Sequence, residues 1–308
     1  MSTFRAHPLR VLAALAATLG LIQASLAIDD SLDVHYAEHL PMVSKSLLLD
    51  VMGVPGFGFL AVGERGHVVL SADGATWQQA EVVPTRSTLT TITQAGERLW
   101  AGGHDTVIIT SGDHGETWTL QYFDPDRQQP IMDLHFFDEQ HGLAIGAYGL
   151  YLVTEDGGKT WEDALVNEEE WHNNAVLDLG GGRLMIAGEA GFTYRSSDGG
   201  VTWETLEMPY GGSMFGIVRS GGDCVLVFGL RGHVQESCDF GDSWQEPKSG
   251  TELTIAGSGA SSTILDGTGT GRVLWLNGAP GCVIRNLTFV NGTQYSGGAI
   301  HLDEGATA

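Results

Sequence analysis

The sequence predicts an all-β chain built mainly as a propeller of four-stranded blades, and three observations lead there. Trp77, Trp118, Trp161, Trp203 and Trp244 recur at spacings of 41, 43, 42 and 41 residues. Each closes a version of the motif S/T-x-D-x-G-x-T/S-W, and a G-x-x-G turn lies about fourteen residues upstream of each. One supersecondary unit repeated every 40 to 45 residues or so is the signature of a propeller blade.

The first element is the Asp box itself. Its copies read Ser71-Ala-Asp73-Gly-Ala-Thr76-Trp77, Ser111-Gly-Asp113-His-Gly115-Glu-Thr117-Trp118, Thr154-Glu-Asp156-Gly-Gly158-Lys-Thr160-Trp161, Ser196-Ser-Asp198-Gly-Gly200-Val-Thr202-Trp203 and Ser237-Cys-Asp239-Phe-Gly241-Asp-Ser243-Trp244. Asp and Ser/Thr hydrogen-bond nearby backbone amides, Gly takes a left-handed conformation, and Trp opens the next strand with its ring buried. The first copy is one residue short and lacks the motif glycine, so its turn should be tighter or distorted. A calcium loop is the alternative, but each turn has one carboxylate and no regular ligand array. No metal and no cofactor is expected.

The second element is the turn: Gly63-Glu-Arg-Gly66, Gly103-His-Asp-Thr106, Gly146-Ala-Tyr-Gly149, Gly188-Glu-Ala-Gly191 and Gly229-Leu-Arg-Gly232. These read as two-residue hairpin loops between strands such as 59–62 and 68–70, 143–145 and 151–153, and 225–228 and 234–236. An innermost strand such as 131–137 and an outer one starting at Trp161 complete four strands per repeat.

Five Asp boxes with a G-x-x-G turn upstream resemble the photosystem II stability/assembly factor family, a branch of the BNR/Asp-box propellers, over about residues 40–247. The resemblance implies a non-enzymatic exported factor that binds a protein partner in the periplasm or cell envelope. Asp boxes also occur in sialidases, sortilin-type receptors and glycan hydrolases, so a glycan-binding or sialidase-like glycoside hydrolase propeller is the alternative. A sialidase would need an Arg-Ile-Pro segment ahead of the first box and three arginines converging on a carboxylate. Between residue 28 and Trp77 the chain offers only Arg65. No Ser/His/Asp order, Cys/His metal spacing or phosphate loop stands out.

Outside the repeats, Arg5 and Arg10 precede an apolar run from Val11 to Ile22 and then Ser25-Leu26-Ala27. This reads as a signal peptide over 1–27, with a retained N-terminal anchor as the alternative. Its removal takes away two arginines and no acid, so the formal charge of −23 becomes −25. Nucleic acid and anionic lipid surfaces both require a basic footprint, and the chain has none. The three cysteines are too few for a disulfide scaffold, and whether Cys224 and Cys238 bridge across one hairpin stays open.

The propeller is expected over 28–247, with a change of character at 248–308. There the boxes stop, and short apolar runs such as 282–290 and 298–302 alternate with Gly/Asn turns. One or two coils of a right-handed parallel β-helix, joined by natural fusion or by artefact, and a degenerate sixth blade are the two readings. Either leaves the fifth blade with an edge to cover.

In a meander whose strands alternate direction, the G-x-x-G loops and interblade linkers must emerge on one face and the Asp boxes on the other. The linker-side face is therefore the candidate binding face, with Arg65, His67, Asp105, Arg127, Tyr148, Trp171, His172, Glu189, Arg231 and His233 as its candidate residues. Arg65/His67 and Arg231/His233 are repeat-equivalent, each in G-x-R-G-H-V. The alternative for them is exposed hairpin residues satisfied by nearby acids. The run Glu168-Glu-Glu-Trp171-His172 reads as an acidic hook with an aromatic anchor, or as a solvated linker.

Overall fold

Apolar residues alternating along short strands, each stopped by a Gly-rich turn, fold into five antiparallel meanders. The computed structural model describes residues 34–247 and six three-residue strands between 254 and 302; the signal-peptide reading lies outside the described residues. Blade 1 comprises β1 (Leu48–Val54), β2 (Gly58–Gly63), β3 (Val68–Ser71) and β4 (Gln78–Gln79). Blade 2 comprises β5 (Leu89–Ala95), β6 (Arg98–Gly103), β7 (Ile108–Ser111) and β8 (Thr119–Tyr122). Blade 3 comprises β9 (Ile131–Phe136), β10 (Gly142–Gly146), β11 (Tyr151–Thr154) and β12 (Glu162–Asp163), and blade 4 β13 (Asn173–Gly180), β14 (Arg183–Gly188), β15 (Phe192–Ser196) and β16 (Glu204–Glu207). Blade 5 has β17 (Met214–Gly221), β18 (Cys224–Gly229) and β19 (Val234–Ser237), and a Glu236–Gln245 bridge marks its fourth strand. Sheet order follows chain order within every blade.

The blades bury their faces against one another. Leu60, Val62, Val68 and Leu70 of blade 1 share a core with Ile92, Leu99, Ala101 and Ile109 of blade 2. Trp100 and Ile108 meet Leu134, Ala144 and Leu152 at the next junction. The same alternation recurs between blades 3 and 4 and between blades 4 and 5. Inner strands β1, β5, β9, β13 and β17 pack side by side in succession, and no packing of comparable extent returns from β17 to β1 among the described residues.

Each Asp box is a closed local network. Asp113 accepts from the Thr117 amide (2.9 Å) and hydroxyl (2.5 Å), and Ser111 Oγ donates to Asp113 while accepting from the Gly115 amide. Asp156, Asp198 and Asp239 repeat the pattern with Thr160, Thr202 and Ser243. Hydroxyl and amide donation holds the Asp198 and Asp239 carboxyls down at about 2. In the short first copy, Asp73 instead accepts from the Ala75 and Thr76 amides, a tighter turn.

The box glycine has a second role, which is packing between blades. A Cβ on Gly158 would come 2.3 Å from the Trp100 ring of blade 2, and one on Gly115 would come 2.2 Å from Leu60 of blade 1. Among the described residues no blade precedes blade 1, and its box is the one that lacks this glycine. The tryptophan rings close the turns: Trp77, Trp118 and Trp203 donate from Nε1 to the carbonyls of Gly74, Gly115 and Gly200, whereas the Trp161 and Trp244 nitrogens have no such partner. Cys224 and Cys238 are disulfide-bonded across the β18–β19 hairpin, with Cα atoms 3.9 Å apart, which closes the question left by the sequence.

Beyond Pro247 the described strands pair in parallel. β20 (Thr254–Ala256) pairs with β23 (Val283–Arg285), β21 (Ile264–Asp266) with β24 (Thr288–Val290) and β22 (Leu274–Leu276) with β25 (Ile300–Leu302). An antiparallel meander blade has no such pairing.

Candidate partner-binding face

The upstream turns position the candidate residues. Each is a two-residue hairpin loop, shifted by one from the positions between the two glycines: in the first, the Gly63 amide donates to the His67 carbonyl at 3.0 Å and the His67 amide donates to the Glu64 carbonyl at 3.0 Å. The loop residues are Arg65-Gly66, Asp105-Thr106, Tyr148-Gly149, Ala190-Gly191 and Arg231-Gly232, and all ten have φ between 50° and 82°. Two consecutive left-handed residues match the twist of a hairpin. The first is non-glycine in every blade, which places Arg65, Asp105, Tyr148 and Arg231 at the tips of blades 1, 2, 3 and 5 in a backbone region such side chains rarely adopt. Thr106 replaces glycine in blade 2, and its hydroxyl donates to the Gln129 carbonyl at 2.8 Å.

The interblade linkers cross these tips on the same side. A Cβ on Gly66 would touch Thr85, one on Gly149 would touch Glu170, and one on Gly191 would touch Gly211, each in the linker that follows. At Gly232 it would meet no described residue within 4 Å. This accounts for a difference between two local sequences that share the pattern G-x-R-G-H-V. His67 is fully buried, with both ring nitrogens unpartnered and burial holding the ring below the usual imidazole range. His233 stays half-exposed, stacked on Tyr210 at 3.7 Å and 3.7 Å from Glu246. His67 is therefore packed inside and presents nothing to the face.

The remaining candidates fall into separate sets. Arg127 makes a bidentate pair with Asp163 (2.5 and 2.9 Å) and a contact with Asp124, so its charge is consumed within blade 3. Tyr148 stands edge-on to His172 at 4.7 Å, His172 lies 3.3 Å from Glu189, and Trp171 packs on Phe192. Asp105 accepts from Ser87 Oγ at 2.5 Å. Arg231, His233, Val234, Glu246 and Pro247 line a shallow cleft of about 350 Å³. Arg65 and Arg231 are exposed and, among the described residues, take part in no ion pair, in contrast to Arg86, Arg127, Arg183 and Arg195. The acids nearby do not satisfy them.

Two carboxylates escaped the sequence reading because their partners sit a full repeat away. Asp50 accepts from the Ile92 amide of blade 2 and Asp133 from the Val176 amide of blade 4, both at 2.9 Å. They occupy the same position of β1 and β9, and that equivalence two repeats apart is the signal that could have found them. Thr91, at the same position of β5, reaches Asp133. Asp133 retains some accessible surface, but close packing on every side strips its solvation and pushes the carboxyl up to about 6.

Tip loops and linkers on one side, Asp boxes on the other and cores between successive sheets define an Asp-box β-propeller. The family model described as photosynthesis system II assembly factor YCF48 matches residues 120–264, a little under half of the chain. A photosystem II assembly lipoprotein Ycf48 of Synechococcus sp. (strain CC9902) is 29% identical over 126 residues, 40% of this chain and 38% of that protein. The assembly protein of Thermosynechococcus vestitus is 29% identical over 165 residues, 39% of this chain and 48% of that one. The chain thus spans between 38% and 48% of the length of these curated relatives. Among solved structures, YCF48 bound to D1 peptide superposes with a TM-score of 0.55 at 18% identity, over 70% of each chain. An ancestral GH74 enzyme gives 0.55 at 14% identity, over 66% of this chain and 31% of that one. At such identities the superpositions establish the fold. The propeller is photosystem II assembly factor-like.

Proposed function

We propose that this chain is a non-catalytic assembly or stability factor that holds a protein partner on its linker-side face, in the periplasm or cell envelope. The observation that carries the reading is the pair of exposed arginines, Arg65 and Arg231, held at left-handed tips and unneutralised in an otherwise strongly acidic chain. Such cations are suited to carboxylates of an extended partner segment, with the Tyr148–His172 and Tyr210–His233 pairs offering flat aromatic surface beside them. One solved relative is YCF48 bound to D1 peptide, and two curated relatives are named lipoproteins. Both facts agree with a peptide-binding, exported factor.

The test is a pull-down from the native envelope with the wild type and an Arg65→Ala/Arg231→Ala double variant, run beside a glycan array and a glycosidase screen. Partners captured by the wild type and lost in the variant support the reading. Specific glycan binding, or turnover abolished by changing one carboxylate of this face, replaces it with a glycan-active propeller. Export is checked separately: N-terminal sequencing of periplasmic protein should start at or near Ile28.

A further inference from the structure

On the Asp-box face, three recurring positions meet at each blade junction: the box residue after Asp, the residue after the box glycine, and the residue just before the box Ser/Thr of the preceding blade. Between blades 1 and 2 these are His114, Glu116 and Leu70, and His114 stacks on Phe57 of blade 1 at 5.4 Å. Between blades 4 and 5 they are Phe240, Asp242 and Arg195, and Arg195 lies over the Phe240 ring while donating to the Phe240 carbonyl and to Asp242. Between blades 2 and 3 they are Gly157, Lys159 and Thr110, in a cleft walled by polar side chains such as Arg98 and Glu139. Between blades 3 and 4 they are Gly199, Val201 and Val153, with neither a ring nor a charge.

The result is an apolar cleft of about 490 Å³. Leu143, Tyr151 and Val153 form its floor, and Leu143 stands where blade 2 carries the larger Trp100. Tyr151 spends its hydroxyl on the Gly200 carbonyl at 2.9 Å. A Cβ on Gly199 would meet no described residue within 4 Å, so the space that His114 and Phe240 occupy at their junctions is open here. The banks reach beyond the cleft, with Val201 79% and Phe137 41% exposed. A ligand confined to the cleft leaves both in water, whereas a polypeptide anchored in it covers them. The rim carries Asp138 and Glu155, and His141, the one basic residue lining the cleft, is held by Asp138 at 2.9 Å.

We infer that this cleft binds a partner polypeptide through an aromatic side chain flanked by Lys or Arg, at a second site on the face opposite the tip loops. The inserted ring lies against Phe137 as His114 lies on Phe57, supplying in trans what two other boxes supply from their own sequence. The flanking cations meet Asp138 and Glu155. The site uses none of the tip residues, so it stands or falls separately from the linker-side face.

The experiment is fluorescence anisotropy on the full chain with a fluorescein-labelled Gly-Gly-Lys-Trp-Lys-Gly-Gly peptide. Replacing its Trp by Ala, or both its Lys by Glu, should weaken binding by about tenfold or more, and tryptamine should compete at least about tenfold more weakly than the unlabelled peptide. Gly199→His brings the residue of the second box into the cleft, at a left-handed position that His114 already tolerates with φ 60°, and should weaken binding by about tenfold. Val153→Arg, the blade 4 residue at that position, should do the same, and it decides the matter if Gly199→His shifts the unfolding midpoint. Arg65→Ala/Arg231→Ala should leave the affinity within about twofold of the wild type. No saturable binding of the first peptide, equal binding of all three peptides, or undiminished binding in both filled variants overturns the inference. Loss in the double arginine variant also overturns it, by assigning the peptide to the linker-side face, as does tryptamine binding as tightly as the peptide, which would make the cleft a site for a small aromatic amine.

Discussion

Replacing Asp133 by Asn should remove a pH dependence that the propeller carries between about pH 4 and pH 6. The carboxyl lies in the wall formed by the inner strands, where burial pushes it from 3.8 to about 6. A folded-state value above the unfolded one means that the native state holds its proton where the unfolded chain has released it. Stability from this group therefore falls as pH rises from about 4 to 6, and is constant above and below that window. At about 1.4 kcal/mol per pH unit, the full change is at most about 3 kcal/mol. Asn retains an oxygen for the Val176 amide but has no charge to desolvate, so the gain at neutral pH is offset by about 1 kcal/mol if the Leu134 amide loses its acceptor. Urea unfolding of both proteins at half-unit steps from pH 4 to 7 is the assay. The stability difference between them should change across the window by up to about 3 kcal/mol. A difference that is flat from pH 4 to 6 would refute the desolvation argument.

Four further outcomes follow from the same packing. Asp113→Ala, which orphans the Thr117 amide and the hydroxyls of Thr117 and Ser111, should lower stability by about 1 to 3 kcal/mol in urea titrations, without changing partner capture. Gly158→Ala drives a methyl into Trp100 from a residue at φ 75°, so a loss of about 2 to 4 kcal/mol is expected in thermal and urea unfolding. Cys224→Ser/Cys238→Ser opens a cross-link spanning 14 residues, and the unfolding midpoint should drop by the equivalent of about 3 kcal/mol and become insensitive to reductant. Acid titration below pH 4 should destabilise the boxes. Asp73, Asp198 and Asp239, held at about 2, contribute stability above the unfolded value that is lost as pH falls through about 2, so near-UV circular dichroism should report loss of Trp packing there.

What could be read from the chain alone was whatever closes within a few residues. The Asp-box bonds span two to four positions, and the hairpin loops span two, so residue types at fixed spacing determined both; with the 41 to 43-residue period they determined the blade, its strand order and the face on which the tips emerge. Only the exact loop positions moved, by one residue, because it is the pair Arg65-Gly66, and not Glu64-Arg65, that takes positive φ. Interactions that close across a repeat were decided by the tertiary structure. Asp50 and Asp133 find their amides in the next blade, and the box glycine is required by the side chain of the blade before it. The same reason separates His67 from His233, which share the sequence G-x-R-G-H-V. The linker at Thr85 crosses the tip at Gly66 and no described residue crosses at Gly232; one imidazole is sealed inside the propeller and the other remains at its surface.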